Sequence, residues 1–296
     1  MALCARRRRC RIHPVDVHGL HARPGVRVFD RIPRLYLCRP MNWHLFFDLD
    51  RTLWHHERNA EEVLEEFCEE FILLKGVSPQ TFAQKYQEIN DALWSVIQSA
   101  GYSVDYVRKR RFPQLLEAVI HSASAQEKRE LASTLEKAFT DRTPDRAHHY
   151  PGMIPALQSL HEAGYVLHIL TNGVTESQSR KVAALGLTSM FSTLTTSDEA
   201  QAYKPDRAIF RYAMRRALCA PEQSVMIGDS ILRDIRGGRE AGMKTLWFQA
   251  SDALPPDAEG TADGQFSDYG RLASALEAIG CGPGDSPTFL ASGKAE

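Results

Sequence analysis

The twelve residues from Trp43 to Trp54, Trp-His-Leu-Phe-Phe-Asp-Leu-Asp-Arg-Thr-Leu-Trp, limit the possible folds of this chain more than any other stretch. Residues 43–47 are a short apolar run that ends abruptly in Asp48 and Asp50, which predicts a strand buried on both faces and opening into a polar loop at its C-terminal end. Open parallel sheets keep their sites at that end. If the extended geometry persists past the strand, its period of two sets the Asp48 and Asp50 side chains on the same side. Two clustered carboxylates repel each other and ask for a cation, for which hard, oxygen-binding Mg²⁺ is the natural candidate. Taken alone, the pair also reads as an acidic surface turn.

Whether that strand belongs to a sheet is decided by the rest of the chain. From Asn59 to Thr143 the pattern is helical, in four amphipathic segments. Asn59 and Glu62 fit an N-cap with its return partner, ahead of a stripe of Val63, Leu64, Phe67, Phe71 and Leu74. Ser78-Pro79 opens a second helix that buries Phe82, Tyr86, Ile89, Leu93 and Ile97 and ends near Gly101. A third carries Leu115, Leu116, Val119 and Ile120, and Ser124 with Glu127 forms a capping box for a fourth. Beyond Pro151-Gly152 the rhythm becomes strand, helix, strand, helix. Apolar runs at 165–170, 191–194, 224–227 and 244–248 alternate with helices near 153–163, 175–185, 206–219, 231–241 and 268–279. This alternation predicts a parallel sheet covered by helices on both faces, with the 43–47 strand in it and the helical module inserted after that strand.

Composition removes several classes. No stretch approaches the roughly 18 apolar residues of a membrane span, and six scattered cysteines without a Cys-x-x-Cys fit a reduced, cytoplasmic protein better than a disulfide framework. Residues 1–40 hold ten of the 36 Lys and Arg but two of the 37 Asp and Glu, a local +8 that leaves −9 for the remainder. The Arg6–Arg9 run could bind nucleic acid, yet the segment has neither a helical face nor an apolar core, and four prolines interrupt it. We read 1–40 as a disordered or artefactual, dispensable extension, since Met41 would serve as a start. Residues 251–266 and 281–296, rich in Gly, Pro, Asp and Ser, are expected to be flexible. The His55-His56 and His148-His149 doublets are not read as zinc ligands, because adjacent side chains in an extended stretch point apart and no cysteine stands near either.

Each later strand or turn supplies a polar residue that a phosphate site could use. The 165–170 strand runs into Thr171-Asn172-Gly173, either a common turn or an anion site at a helix start. Lys204-Pro205-Asp206 precedes another helix, and the 224–227 strand ends in Gly228-Asp229-Ser230, with Asp234 following. Asp229 and Ser230 could simply cap that helix.

Taken in order, these four features resemble the motifs of the haloacid dehalogenase-like hydrolases over about residues 43 to 250. Phe46-Phe-Asp48-Leu-Asp50-Arg-Thr52 is similar to the nucleophile motif, Thr171-Asn172-Gly to the second, Lys204-Pro to the third, and Gly228-Asp229 with Asp234 to the fourth. The resemblance implies a Rossmann-like α/β core at 41–57 and 146–280, a C1-type helical cap at 58–145 and a flexible tail at 281–296. It further implies that Asp48 attacks phosphorus, that Asp50 acts as acid and base, and that Thr171, Asn172 and Lys204 neutralise phosphate oxygens. Mg²⁺ would be held by Asp48, the Asp50 backbone carbonyl and Asp229, with Asp234 in support. Arg51, where many members carry glycine or an acid, is expected to point away from the phosphate. In the cap, Tyr86-Gln, Asn90, Leu93-Trp94 and Arg111-Phe112 resemble the pyrimidine 5'-nucleotidase branch, though the same aromatics also suit a cap core. The implied activity is hydrolysis of a small phosphomonoester, foremost a pyrimidine nucleoside 5'-monophosphate. The alternatives are a phosphatase or phosphomutase of sugar phosphates or similar metabolites, and a non-catalytic binding protein on the same fold. Neither a membrane nor a nucleic acid is an expected partner.

Overall fold

The computed structural model describes residues 42–100, 104–249 and 262–285. The basic extension at 1–40 with Met41, most of 251–266 and residues 286–296 lie outside the described residues.

Six strands form one parallel sheet in the order β3-β2-β1-β4-β5-β6. They are β1 His44–Phe47, β2 Val166–Thr171, β3 Thr193–Thr196, β4 Ser224–Gly228, β5 Lys244–Phe248 and β6 Gly264–Phe266. β1 lies in the middle, with His44 level with both Val166 and Ser224, so the order of strands reverses direction at β1. A crevice opens at the C-terminal ends of strands on either side of such a switch. The fold is Rossmann-like α/β.

Strand alternation explains why β1 has no polar face. Leu45 and Phe47 join Leu167, Ile169, Val225 and Ile227 in a core closed by Met153, Leu157 and Leu160 of one helix and Leu272 and Leu276 of another. Phe46 faces the opposite layer with Leu170 and Met226, against Ile209, Phe210 and Ala213. Helices thus cover both faces, as parallel sheets require.

After β1 the insertion forms five α-helices among the described residues, α1 His56–Glu70, α2 Pro79–Ala100, α3 Val104–Arg108, α4 Arg111–Val119 and α5 Ala125–Arg142. They bury their own cluster, with Val63, Phe67, Phe82, Tyr86, Phe112, Leu116, Leu135 and Phe139 at its centre. The Ser124–Glu127 capping box is present on both sides. The predicted third helix is α4, and the short α3 before it is an additional element. The predicted cap at Asn59 is corrected: α1 starts three residues earlier, and Asn59 is fully buried within it. Its carboxamide donates to the carbonyls of His55 and His148 and accepts from the His148 amide, each at 2.8 Å. Asn59 therefore ties together the two chain segments that lead into and out of the helical insertion.

The remaining helices are α6 Met153–Glu162, α7 Thr175–Ala184, α8 Ser197–Ala200, α9 Arg207–Ala217, a π-helix Ile231–Arg236 running into α10 Gly237–Glu240, and α11 Leu272–Ala278. Two parts of the segments expected to be flexible are ordered. β6 extends the sheet edge, fastened where Asp263 accepts from the Thr245 amide and hydroxyl. Residues 281–285 close on the core, where Cys281 is buried and its carbonyl accepts from the Tyr165 hydroxyl. No helix among the described residues is long and apolar enough to cross a membrane.

Candidate active site

The site stands at the switch point, and β1 delivers its first residue. Asp48 directly follows the last residue of β1, with its amide hydrogen-bonded to the Ile227 carbonyl of β4. Its carboxylate is buried and meets the Lys204 ammonium at 2.6 Å. The Lys204 ammonium also reaches Asp234 at 2.7 Å and the Leu170 carbonyl at 2.8 Å, so all three of its donors are engaged. A lysine that is 3% exposed needs such partners, because an unpaired buried ammonium is costly.

The backbone around Lys204 is held by Asn172, whose carboxamide donates to the Lys204 carbonyl at 2.9 Å and accepts from its amide at 2.7 Å. The Asn172 side chain thus positions the Lys204 backbone, and the residue also lines the cavity. Thr171 is buried at the end of β2 and lines the same cavity.

From the other side β4 brings in Asp229, and the π-helix brings Asp234. The carboxylates of Asp48, Asp229 and Asp234 offer ligand oxygens all within 4.8 Å of one another. Gly228 makes this crowding possible, because a Cβ there would stand 2.3 Å from an Asp234 carboxylate oxygen. Thr52, in the loop after β1, bridges the two strands: its hydroxyl accepts from the Asp229 amide at 3.1 Å and lies 3.4 Å from Asp48. Burial pushes the Asp48 carboxyl up to about 6, against the pull of Lys204, and the Asp229 carboxyl up to about 7. One Asp229 oxygen is buried with no partner. Three hard oxygen donors crowded together, one of them unsatisfied, suit a divalent cation such as Mg²⁺.

The expected partnership of Asp48 with Asp50 is not what the structure shows. The Asp50 carboxylate stands outside the three-acid cluster, and Asp234, expected only in support, stands inside it. The loop turns after Asp50, with Arg51 in the left-handed region at φ 67°. Two α7 side chains then capture the Asp50 carboxylate, Lys181 at 2.5 Å and Gln178 at 3.0 Å. Gly173 leaves room for this, since a Cβ there would overlap Gln178. Burial alone would raise the Asp50 carboxyl, but Lys181 and His56 outweigh it and hold it well below the usual carboxylate range. The Lys181 ammonium also sits 4.2 Å from the centre of the buried Trp54 ring. Sequence reasoning missed Lys181 and Gln178, because a helix reading Ser-Gln-Ser-Arg-Lys looks like a solvated face.

Arg51 turns toward the helical insertion, pairing with Glu57 of α1 and Asp91 of α2 at 2.5 Å each. Of the histidine doublets, His55 stacks on Tyr150 and His148 pairs with Glu62 at 2.6 Å. His56 lies 3.9 Å from Asp50, and the His149 ring meets the Tyr150 carbonyl.

Above the acids lies a cavity of about 380 Å³ between sheet and insertion. Asp48, Asp50, Thr171 and Lys204 line it below, and Asn90, Trp94, Arg111 and Thr143 line it above. An anion entering it meets the Asp48 carboxylate, the Lys204 ammonium and the Asp50 carboxylate in one cavity, groups that phosphoryl transfer can use.

The family profile of the haloacid dehalogenase-like hydrolases matches residues 45–248. The chain is 31% identical over 206 residues to the pyrimidine 5'-nucleotidase PynA of Streptococcus pneumoniae, covering 69% of this chain and 82% of that protein. It is 33% identical over 193 residues to the phosphoserine phosphatase of Thermus thermophilus, covering 63% and 74%. Among solved structures, the HAD-hydrolase YfnB of Bacillus subtilis, crystallised with magnesium, superposes with a TM-score of 0.68 at 24% identity, over 79% of this chain and 98% of that one.

Proposed function

Since this chain belongs to the haloacid dehalogenase-like hydrolases and is a phosphatase of that family, we propose that it hydrolyses pyrimidine nucleoside 5'-monophosphates through an aspartyl phosphate formed on Asp48. The observation that carries the reading is the position of Asp48. It sits at the floor of the cavity between sheet and insertion, 2.6 Å from Lys204 and within the acid cluster.

In the first half-reaction an Asp48 oxygen forms a bond to phosphorus as the bond from phosphorus to the leaving alcohol breaks, and Asp50 gives that alcohol its proton. In the second, water attacks phosphorus and Asp50 takes the proton from it. Phosphate then leaves and the Asp48 carboxylate is restored. Two moderate barriers replace one high one, and an acid that acts in both halves contributes about 10²- to 10⁴-fold. The Lys181 contact holds Asp50 ionised before substrate binds, so the proton it gives the alcohol is taken up from solvent as Lys181 turns to the incoming phosphate, and Asp50 is left ionised for the second half. Protonation of the leaving group requires Lys181 to transfer its hydrogen bond to the incoming anion. Lys204 balances charge on the phosphoryl oxygens after releasing one of its present acceptors. Mg²⁺ would be held by Asp48, Asp229 and Asp234, and when bound it supplies the charge neutralisation that phosphoryl transfer needs.

The raised Asp48 and Asp229 carboxyls give the metal a signature independent of turnover. A carboxyl whose folded pKa is raised stabilises the fold fully below its unfolded value, near 4, and loses that contribution as pH climbs through about 6 for Asp48 and about 7 for Asp229. Mg²⁺ binds the ionised forms. The rise in melting temperature caused by Mg²⁺ is therefore expected to be small at pH 5 and to grow steeply toward pH 7.5. A rise independent of pH would remove these carboxylates as ligands.

For the substrate, the support is the nucleotidase relative and the size of the cavity, which is near the lower end of the about 300–1,000 Å³ of small-molecule sites. That is room for a nucleoside monophosphate, and the preference for a pyrimidine rests on the relative. We expect kcat/KM to fall in the order dUMP and dTMP, then dAMP, then glucose 6-phosphate. Equal or better turnover of the hexose phosphate would reject the nucleotidase reading and leave the phosphatase standing.

A further inference from the structure

Most buried polar groups of the helical insertion have partners. The Tyr86 hydroxyl accepts from Arg111, Arg111 grips Glu136 with two hydrogen bonds, and the Thr140 hydroxyl also reaches Glu136. On the cavity, Asn90 and Thr143 of the upper wall break this rule, as do one ring nitrogen of His56 and the carboxamide oxygen of Gln178 beside Asp50. Asn90 of α2 is 2% exposed and its carboxamide oxygen has no hydrogen-bond partner; Thr143, just after α5, is 5% exposed and its hydroxyl has none. Both line the cavity above Asp48, and Trp94, one helical turn beyond Asn90, lines it too. Buried polar groups left without partners lower stability. An apolar residue would serve packing better at either place, so a ligand is what these two groups are suited to meet.

We propose that Asn90 and Thr143 read the edge of the leaving group, and that the edge they take is a planar imide, the N3–H and adjacent carbonyl of a uracil or thymine ring. A carboxamide presents an acceptor and a donor side by side, the complement of an N–H beside a C=O. A hydroxyl can serve either. Trp94 supplies an aromatic face on the same wall for a flat ring to lie against. This inference rests on the nucleotidase reading and adds the residues that make the choice. Asn90 and Thr143 act on specificity and not on the chemical step, because a site built to hydrogen-bond a substrate group discriminates strongly against analogues that lack it.

The test compares dUMP, N3-methyl-dUMP and p-nitrophenyl phosphate on the full chain with Mg²⁺, for the wild type, Asn90→Leu and Thr143→Val. Wild type is expected to prefer dUMP over N3-methyl-dUMP by about ten- to a hundred-fold, the loss that follows when a buried acceptor is left unmet. In Asn90→Leu the two should become equal, and in both variants the ratio of dUMP to p-nitrophenyl phosphate kcat/KM should drop at least about ten-fold. Melting temperatures should be equal to or above wild type, which a structural role for these groups would not give. If wild type accepts N3-methyl-dUMP as well as dUMP, or if neither variant changes the ratio, the proposal is overturned. Should Asn90→Leu not fold, Thr143→Val and the wild-type comparison decide it. If the wild type instead prefers a hexose phosphate, the nucleotidase reading fails and the imide assignment with it. The variants then tell whether these residues select that other leaving group, since the ratio to p-nitrophenyl phosphate is read on whichever substrate is preferred.

Discussion

Asp48→Asn is expected to fold, to bind phosphate esters and to release essentially no phosphate, a loss on the order of 10⁴-fold or more in kcat, as follows when a nucleophile is removed and the surrounding site is kept. The amide nitrogen and oxygen of asparagine fill the same space but cannot open a covalent path. The exchange also removes one negative charge from a cluster in which Asp48, Asp229 and Asp234 lie within 4.8 Å of one another. Lys204 keeps Asp234 and the Leu170 carbonyl as acceptors. Stability in the absence of metal should therefore hold or rise slightly, and Mg²⁺ affinity should fall. Phosphate release by the folded variant under saturating Mg²⁺ is the measurement. A rate within ten-fold of wild type would take Asp48 out of the covalent step.

How much of this was legible beforehand depends on whether a residue's role is set by its neighbours in sequence or in space. The strand 43–47 announced itself, since a run buried on both faces needs apolar residues at every position and cannot be disguised. The order of polar residues at strand ends was equally plain, and it brought Asp48, Lys204, Asp229 and Asp234 to one place. What failed was local pattern applied to residues with distant partners. Asn59 has the spacing of a capping box, yet its carboxamide joins His55 to His148, 89 residues away in sequence. Lys181 and Gln178 sit on a helix that looks solvated, and their capture of Asp50 exists only because the loop after β1 turns at Arg51 toward α7. β6 escaped notice because a three-residue edge strand in a glycine- and aspartate-rich segment carries no periodicity. The expectation that Asn172 meets the phosphate rests on the family resemblance, and no sequence signal shows that its carboxamide reaches the backbone of Lys204.

The buried ion pairs of its ammonium with Asp48 and Asp234 make Lys204 a residue whose loss should weaken the fold strongly. Lys204→Met, close in length but without charge, removes the only ammonium bonded to Asp48 and Asp234 among the contacts described. Two buried carboxylates then face each other and Asp229 with only the Arg233 guanidinium nearby to offset their charge. Deleting one partner of a buried ion pair costs about 3–5 kcal/mol when the other must stay charged, and that is the expected loss in urea-unfolding free energy at pH 7.5 in EDTA. The loss should shrink toward pH 5. Burial raises the Asp48 and Asp229 carboxyls, so protonation relieves the repulsion in the folded state before it would in the unfolded one. Mg²⁺ should restore part of the stability at pH 7.5, because it places positive charge among the same oxygens, yet it should not restore turnover, since the phosphoryl oxygens still lack the ammonium. Lys204→Arg separates charge from shape: it keeps the cation but must fit a planar fork into a space that is 3% exposed and shaped for one nitrogen. It should recover less stability than its charge alone predicts. If Lys204→Met unfolds at the wild-type urea concentration in EDTA at pH 7.5, the three carboxylates are not jointly ionised in the folded protein. The electrostatic account of the site would then have to be rebuilt around a shared proton.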